Sequence, residues 1–149
     1  MLYAAYGSNL NHDQMARRCP KAKFVGVGVL DRYRLVFRGV ADIEHSNKGY
    51  VPVGLWEITG DCLMRLDAYE GYPNMYGRET VDIRMGDKEV DAIIYYMNYG
   101  GYEAPSESYF NAIKDGYEHC GIQLSKLYDA LTITKQKYFL DLAVRNQSY

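Results

Sequence analysis

"KFVGVGVLDRYRLVF", residues 23–37, decides what kind of fold this chain adopts. Its apolar positions alternate with polar ones or glycine and many are β-branched, which is the period of a strand. It predicts one long strand, or two paired ones broken at Asp31-Arg32. The same signature recurs on either side. Residues 2–6 predict a short opening strand, and "YVPVGLWEIT", residues 50–59, predicts another. Pro52 lies near the start of the latter and implies an edge or a bulge. "MYGRETVDIRMG" and "KEVDAIIYYMN" predict a β-hairpin that turns at Gly86-Asp87-Lys88. Residues 39–49, "GVADIEHSNKG", read as a polar loop.

Helical signals fall between and after these strands. Asn9 or Asn11 can cap a short helix through "HDQMARRC", with Asp13 in its first turn, Arg17 and Arg18 in its last, and Pro20 ending it. Thr59 or Asp61 can cap a helix over "DCLMRLDAY". Ser106 caps "SESYFNAIKDGYEHCG", with Glu107 in the first turn and Gly121 at the end. "LSKLYDALTITKQKYFLDLAVR" has helical spacing, expected in two pieces. Strands dominate the first two thirds and βαβ units are few. The expectation is a single α+β domain over residues 1–149: a small, mostly antiparallel β-barrel with flanking helices, with residues 122–149 as a C-terminal helical extension. A chain of 149 residues suffices for one proper core.

Composition narrows the function classes. Hydrophobic residues make up 48%, charged ones 24%, and the net charge is −2, so no nucleic-acid surface or acidic tail is implied. Cys19, Cys62 and Cys120 are odd in number and lack C-x-x-C spacing. Neither a disulfide framework nor a zinc site is expected, and a reducing cytoplasm fits. No signal peptide and no membrane-length apolar run is present. Tyrosine stands out, with 16 against 4 Phe and 1 Trp. An apolar ring with one hydroxyl suits half-buried walls and polar pockets.

Two stretches can carry chemistry. Gly7, Ser8 and Asn9 follow the opening strand and offer successive backbone N–H groups, a hydroxyl and an amide. Successive donors in a turn form an anion site, although the same residue types also favour a plain strand-to-helix turn. Glu70 follows a predicted helix, precedes Gly71, and is flanked by Tyr69 and Tyr72, with Tyr76 close by. Only Arg78 and tyrosine hydroxyls are at hand to pair with it. A carboxylate in such a wall has a raised pKa, as general bases often do. As composition, Glu70 equally reads as a solvated charge before a turn.

Other residues point elsewhere. His12, His45 and His119 lack metal-ligand spacing, and the cysteines have no basic cluster nearby. "GVGVL" lacks the third glycine of a dinucleotide site. The arginines of "RYRLVFR" read as one solvated strand face, and Tyr109, Ile113 and Tyr117 as a helical core stripe from which Tyr109 can also reach a pocket.

"YGSNL" at 6–10, "D-x-x-E-G" at 67–71, "MY" at 75–76 and "PSxxY" at 105–109 together resemble the gamma-glutamylcyclotransferase-like family, in order and spacing, over residues 2–121. That family includes gamma-glutamylamine cyclotransferases, plant avirulence-induced relatives and an enzyme of butirosin biosynthesis. The resemblance implies a small β-barrel with flanking helices and no cofactor. It implies cyclisation of a small gamma-glutamyl substrate to 5-oxoproline, with release of an amine or amino acid. By position Glu70 matches the catalytic glutamate. Tyr6, Gly7, Ser8, Asn9 and Leu10 match the substrate loop, and Tyr76, Tyr95 and Tyr109 match pocket tyrosines. Two other readings stay open: a non-catalytic small-anion-binding module with the same pocket, and a tailoring enzyme acting on a different gamma-glutamyl amide. The rim that separates substrates is expected in residues 39–49 and 98–105.

Overall fold

The computed structural model describes residues 1–98 and 100–147. Residue 99 of the expected rim, and residues 148 and 149 of the extension, lie outside these. Two long strands form the body. β2 (Lys23–Phe37) and β3 (Ala41–Glu57) pair antiparallel from Lys23 opposite Glu57 to Phe37 opposite Ala41. The break expected at Asp31-Arg32 is a kink within one strand: Arg32 has φ 64° at a register shift between Asp31 and Tyr33. β1 (Leu2–Ala5) joins β3 antiparallel, and β4 (Tyr76–Met85) and β5 (Lys88–Met97) form the expected hairpin, with Met85 opposite Lys88. Among the described residues five strands close into a barrel in the order β1-β3-β2-β4-β5. The seam between β1 and β5 is parallel, with Tyr3 opposite Ile93, and the other pairings are antiparallel. Pro52 lies beyond the end of β1, where β3 pairs only with β2 and has a free edge on the other side.

The helices begin where local chemistry directs. Asn11 caps α1 (His12–Arg18) by accepting from the Asp13 and Gln14 amides. Thr59 caps α2 (Gly60–Glu70) and Ser106 caps α3 (Glu107–Cys120). α4 (Ser125–Asn146) runs as one helix rather than the expected two. Its first half docks through buried Leu127, Ala130 and Thr134, whose Oγ1 accepts the Phe37 N–H at 2.8 Å, while its second half stands exposed. Phe37, Val51, Val53, Leu55, Ile83 and Ile94 are fully withdrawn from water in the core.

Three expectations are corrected by long-range contacts. Residues 41–49 belong to β3 and are not a loop. Their charges find partners on and beside β2: Glu44 accepts from Arg34 at 2.6 and 2.9 Å, and Asp42 pairs with Arg38 at 2.7 Å. Arg34 and Arg38 are therefore half-buried ion-pair partners and not a solvated face. Cys19 and Cys62 form a disulfide, Cα atoms 5.3 Å apart, contrary to the expectation of unpaired thiols. The end of α1 meets the first turn of α2, a contact that a sequence separation of 43 hides. The pairing removes the argument from cysteine usage toward a reducing compartment. Among the described residues no helix is long and apolar enough to cross a membrane.

Candidate active site

Segments from the start, middle and last third of the chain meet around a cavity of about 260 Å³. The first is the loop after β1. Leu10 N–H donates to Gly7 C=O and Asn11 N–H to Ser8 C=O, each at 3.0 Å, making one 3₁₀ turn over Ser8–Leu10. The Ser8 and Asn9 amides open that turn and have no place in its ladder. Gly7 permits close approach: a Cβ there would lie 3.1 Å from Ala41 Cβ and 3.4 Å from the Tyr109 hydroxyl. α3 braces the loop from behind. Asn11 Nδ2 donates to Ala112 C=O at 3.0 Å, and a Cβ on Gly116 would meet the Asn11 nitrogen at 2.6 Å, so this packing requires glycine.

The second segment is the end of α2. Glu70 is its last residue, and Gly71 turns the chain with φ 69°. Burial pushes the Glu70 carboxyl up to about 7, and the Arg18 charge opposes this only in part. A carboxylate at the C-terminal end of a helix also faces the negative end of the dipole, which acts in the same sense as burial. Among the described residues nothing donates a hydrogen bond to it. Arg78, the cation the sequence offered as a partner, is turned to the Asp67 carboxylate and stacks over the Tyr72 ring at 4.3 Å.

Tyrosines make the remaining walls, and their hydrogen bonds fix a polarity. Tyr6 O–H donates to Tyr95 C=O at 2.7 Å, and Tyr76 O–H donates to Ala41 C=O at 3.3 Å. Ala41 N–H in turn donates to the Tyr109 oxygen at 3.0 Å. Tyr6 and Tyr76 thus have lone pairs left for a ligand, while Tyr109 keeps its proton to donate. Tyr95 O–H donates to Asp67 Oδ1 at 2.7 Å, and Asn9 Nδ2 donates to the Tyr3 oxygen at 3.0 Å. Burial raises all of these phenols, Tyr109 to about 12, so they stay protonated near neutrality.

Glu70, Tyr6, Gly7, Ser8, Asn9, Tyr76, Tyr95 and Tyr109 therefore line one cavity. Leu10 does not: it is fully buried in the core, with Cys120 Sγ against its carbonyl. Tyr3, Ala4, Val40, Ala41, Tyr69 and Met75 also line the cavity. Of these, Tyr69 carried a signal as a neighbour of Glu70, Met75 as part of the "MY" motif, and Val40 and Ala41 as part of the expected rim, whereas Tyr3 and Ala4 were legible only as strand residues. Arg18 was legible only as a helix-end cation, yet its Nη1 donates to Asn9 Oδ1 and its guanidinium lies 3.7 Å from the Tyr69 ring centroid. Among the described residues no cluster of three His, Cys, Asp or Glu side chains could hold a metal.

The closed barrel and its flanking helices define a cyclotransferase-type fold, and the comparisons agree. The family described as gamma-glutamyl cyclotransferase, AIG2-like, matches residues 3–116, and the chain belongs to it. A solved structure described as a gamma-glutamyl cyclotransferase superposes with a TM-score of 0.78 at 27% identity, over 91% of this chain and 86% of its own. An uncharacterised Homo sapiens protein superposes with a TM-score of 0.79 at 28% identity, over 90% and 85%. YkqA from Bacillus subtilis shares the fold, with a TM-score of 0.76 at 23% identity, over 89% of this chain and 54% of that one. No curated protein sequence matches the chain. The expected fold and family are thus the observed ones.

Proposed function

We propose that the chain cyclises a small gamma-glutamyl compound to 5-oxoproline and releases an amine or amino acid, with Glu70 as general acid and base. The observation that carries this reading is one half-buried carboxylate, its pKa near 7, sharing a tyrosine-walled cavity with unladdered loop amides. The substrate supplies its own nucleophile. Well-oriented intramolecular attack has an effective molarity of about 10⁵–10⁸ M, so positioning and proton transfer suffice.

Ionised Glu70 takes a proton from the substrate's α-ammonium. The freed amine attacks the γ-carbonyl carbon and closes a five-membered ring. The oxyanion is stabilised by preorganised donors, for which the Ser8 and Asn9 amides and the Tyr109 hydroxyl are the candidates. Protonated Glu70 then returns its proton to the departing nitrogen, and the second proton of the attacking nitrogen follows to the released amine. A group with a pKa near the working pH serves both transfers. The lone pairs of Tyr6 and Tyr76 suit the ammonium before it reacts.

The test is incubation with a panel of gamma-glutamyl compounds while 5-oxoproline is followed. Release that is lost in a folded Glu70→Gln variant supports the role, and an unaltered rate removes Glu70 from it.

A further inference from the structure

The residues lining the cavity include one acid and neither lysine nor arginine. The cation whose charge reaches Glu70 is Arg18, at the end of α1. Its guanidinium is held on two sides. Nη1 donates to Asn9 Oδ1 and, at 3.5 Å, to Ser8 Oγ, and the plane sits over Tyr69. All three partners line the cavity. Among the described residues Nε and Nη2 have no acceptor, and no carboxylate lies within 4.0 Å of the group. Arg18 is thus an oriented cation with one edge of its fork unused. Such an edge matches a carboxylate through two parallel hydrogen bonds.

Its place along the cavity follows from exposure. Tyr6, Asn9 and Tyr95 are at most 6% exposed, whereas Tyr69 is 49% and Met75 58% exposed. The latter two mark the mouth, and Arg18 stacks on Tyr69. A glutamyl head that reacts inside beside Glu70 directs whatever hangs on its γ-carbonyl outward past Tyr69.

We propose that Arg18, seated on Tyr69, forms the leaving-group subsite and selects gamma-glutamyl amino acids and peptides, which carry a carboxylate beyond the scissile nitrogen, over gamma-glutamyl amines, which carry none. This rests on the cyclotransferase reading. In the reaction the α-nitrogen bonds to the γ-carbonyl carbon as that carbon's bond to the leaving nitrogen breaks. The two protons lost by the α-ammonium end on the released amino group, and nothing is oxidised or reduced. Arg18 holds only the departing half.

The experiment compares kcat/KM for gamma-glutamyl-L-alanine, gamma-glutamyl-L-alaninamide and gamma-glutamylethylamine, read by 5-oxoproline release. The unaltered protein is expected to favour the free carboxylate by about tenfold or more over either neutral substrate. Arg18→Met is expected to collapse that preference to within about threefold, with Arg18→Lys intermediate because it keeps the charge and loses the fork. Equal rates on all three substrates in the unaltered protein overturn the subsite and leave the cyclotransferase reading standing, and this comparison needs no variant to fold. An equal loss on all three in Arg18→Met also overturns it, because the guanidinium then serves the loop or the glutamyl head. No 5-oxoproline from any substrate overturns both.

Discussion

Glu44 and Glu70 are the same residue type, both half-buried, and their surroundings drive them in opposite directions. For each, withdrawal from water is the largest influence and raises the pKa. Glu44 answers it with a hydrogen bond from Tyr102 at 2.8 Å, the Arg34 fork, and Arg38 at 3.2 Å, and ends below the usual carboxylate range. Glu70 has only the Arg18 charge against it and ends at about 7. Glu70 is the deeper of the two and has fewer donors around it, and both differences raise its pKa while Glu44 is held down.

Substitutions can break or sharpen this contrast. The largest effect is expected from Glu70→Gln, with kcat lowered about 10²–10⁴-fold. Its effect on stability has the opposite sign. A carboxyl with a raised folded pKa binds protons more tightly in the native state, so stability is lost as pH rises from about 4.5 through about 7. Glutamine removes that loss, so urea unfolding at pH 8 is expected to show the variant more stable by up to about 3 kcal/mol, with no gain at pH 4.

Glu44→Gln is expected to destabilise by about 2–3 kcal/mol at pH 7, because Arg34 and Arg38 are left without their shared counter-charge. Its folded pKa is depressed, so the stability it contributes is present above the unfolded value and fades as pH falls through the folded one. A gain at position 44, or a loss at position 70, reverses the comparison. Gly7→Ala comes next. The methyl meets Ala41 and the Tyr109 hydroxyl, and kcat/KM is expected to fall about tenfold for about 1 kcal/mol of stability. The smallest effect on stability is expected from Tyr109→Phe, which leaves the Ala41 N–H unpaired and lowers the unfolding free energy, read by urea titration, by about 1 kcal/mol.

Much of the fold was legible because its determinants are local. Alternation marked β2, β4 and β5, and the caps at Asn11, Thr59 and Ser106 and the turn at Gly86-Asp87 act within a few residues. What escaped depends on partners far along the chain. Residues 41–49 look like a loop until Arg34 and Arg38 neutralise Glu44 and Asp42. Cys19 and Cys62 look unpaired until α1 packs on α2. The cavity behaved the same way. Glu70 and the loop after Tyr6 carry recognisable spacing, but nothing in "MARRCP" says that Arg18 rather than Arg17 swings onto Tyr69. A contiguous motif also overstates its reach: one 3₁₀ turn sends Asn9 toward the cavity and Leu10 into the core.

The parallel seam has a consequence for how the molecule is born. Tyr3 leaves the ribosome early but cannot find Ile93 until β5 follows, and Tyr109 comes later still. Non-local pairing of this kind is slow, and chains emerge N-terminus first. The nascent polypeptide can lay its first strand against β3 once Glu57 has emerged, but the second edge of that strand stays open until β5 arrives, and the pocket closes later still. Stalled nascent chains of increasing length, probed by protease, are expected to gain full protection of the first strand only once β5 has cleared the tunnel.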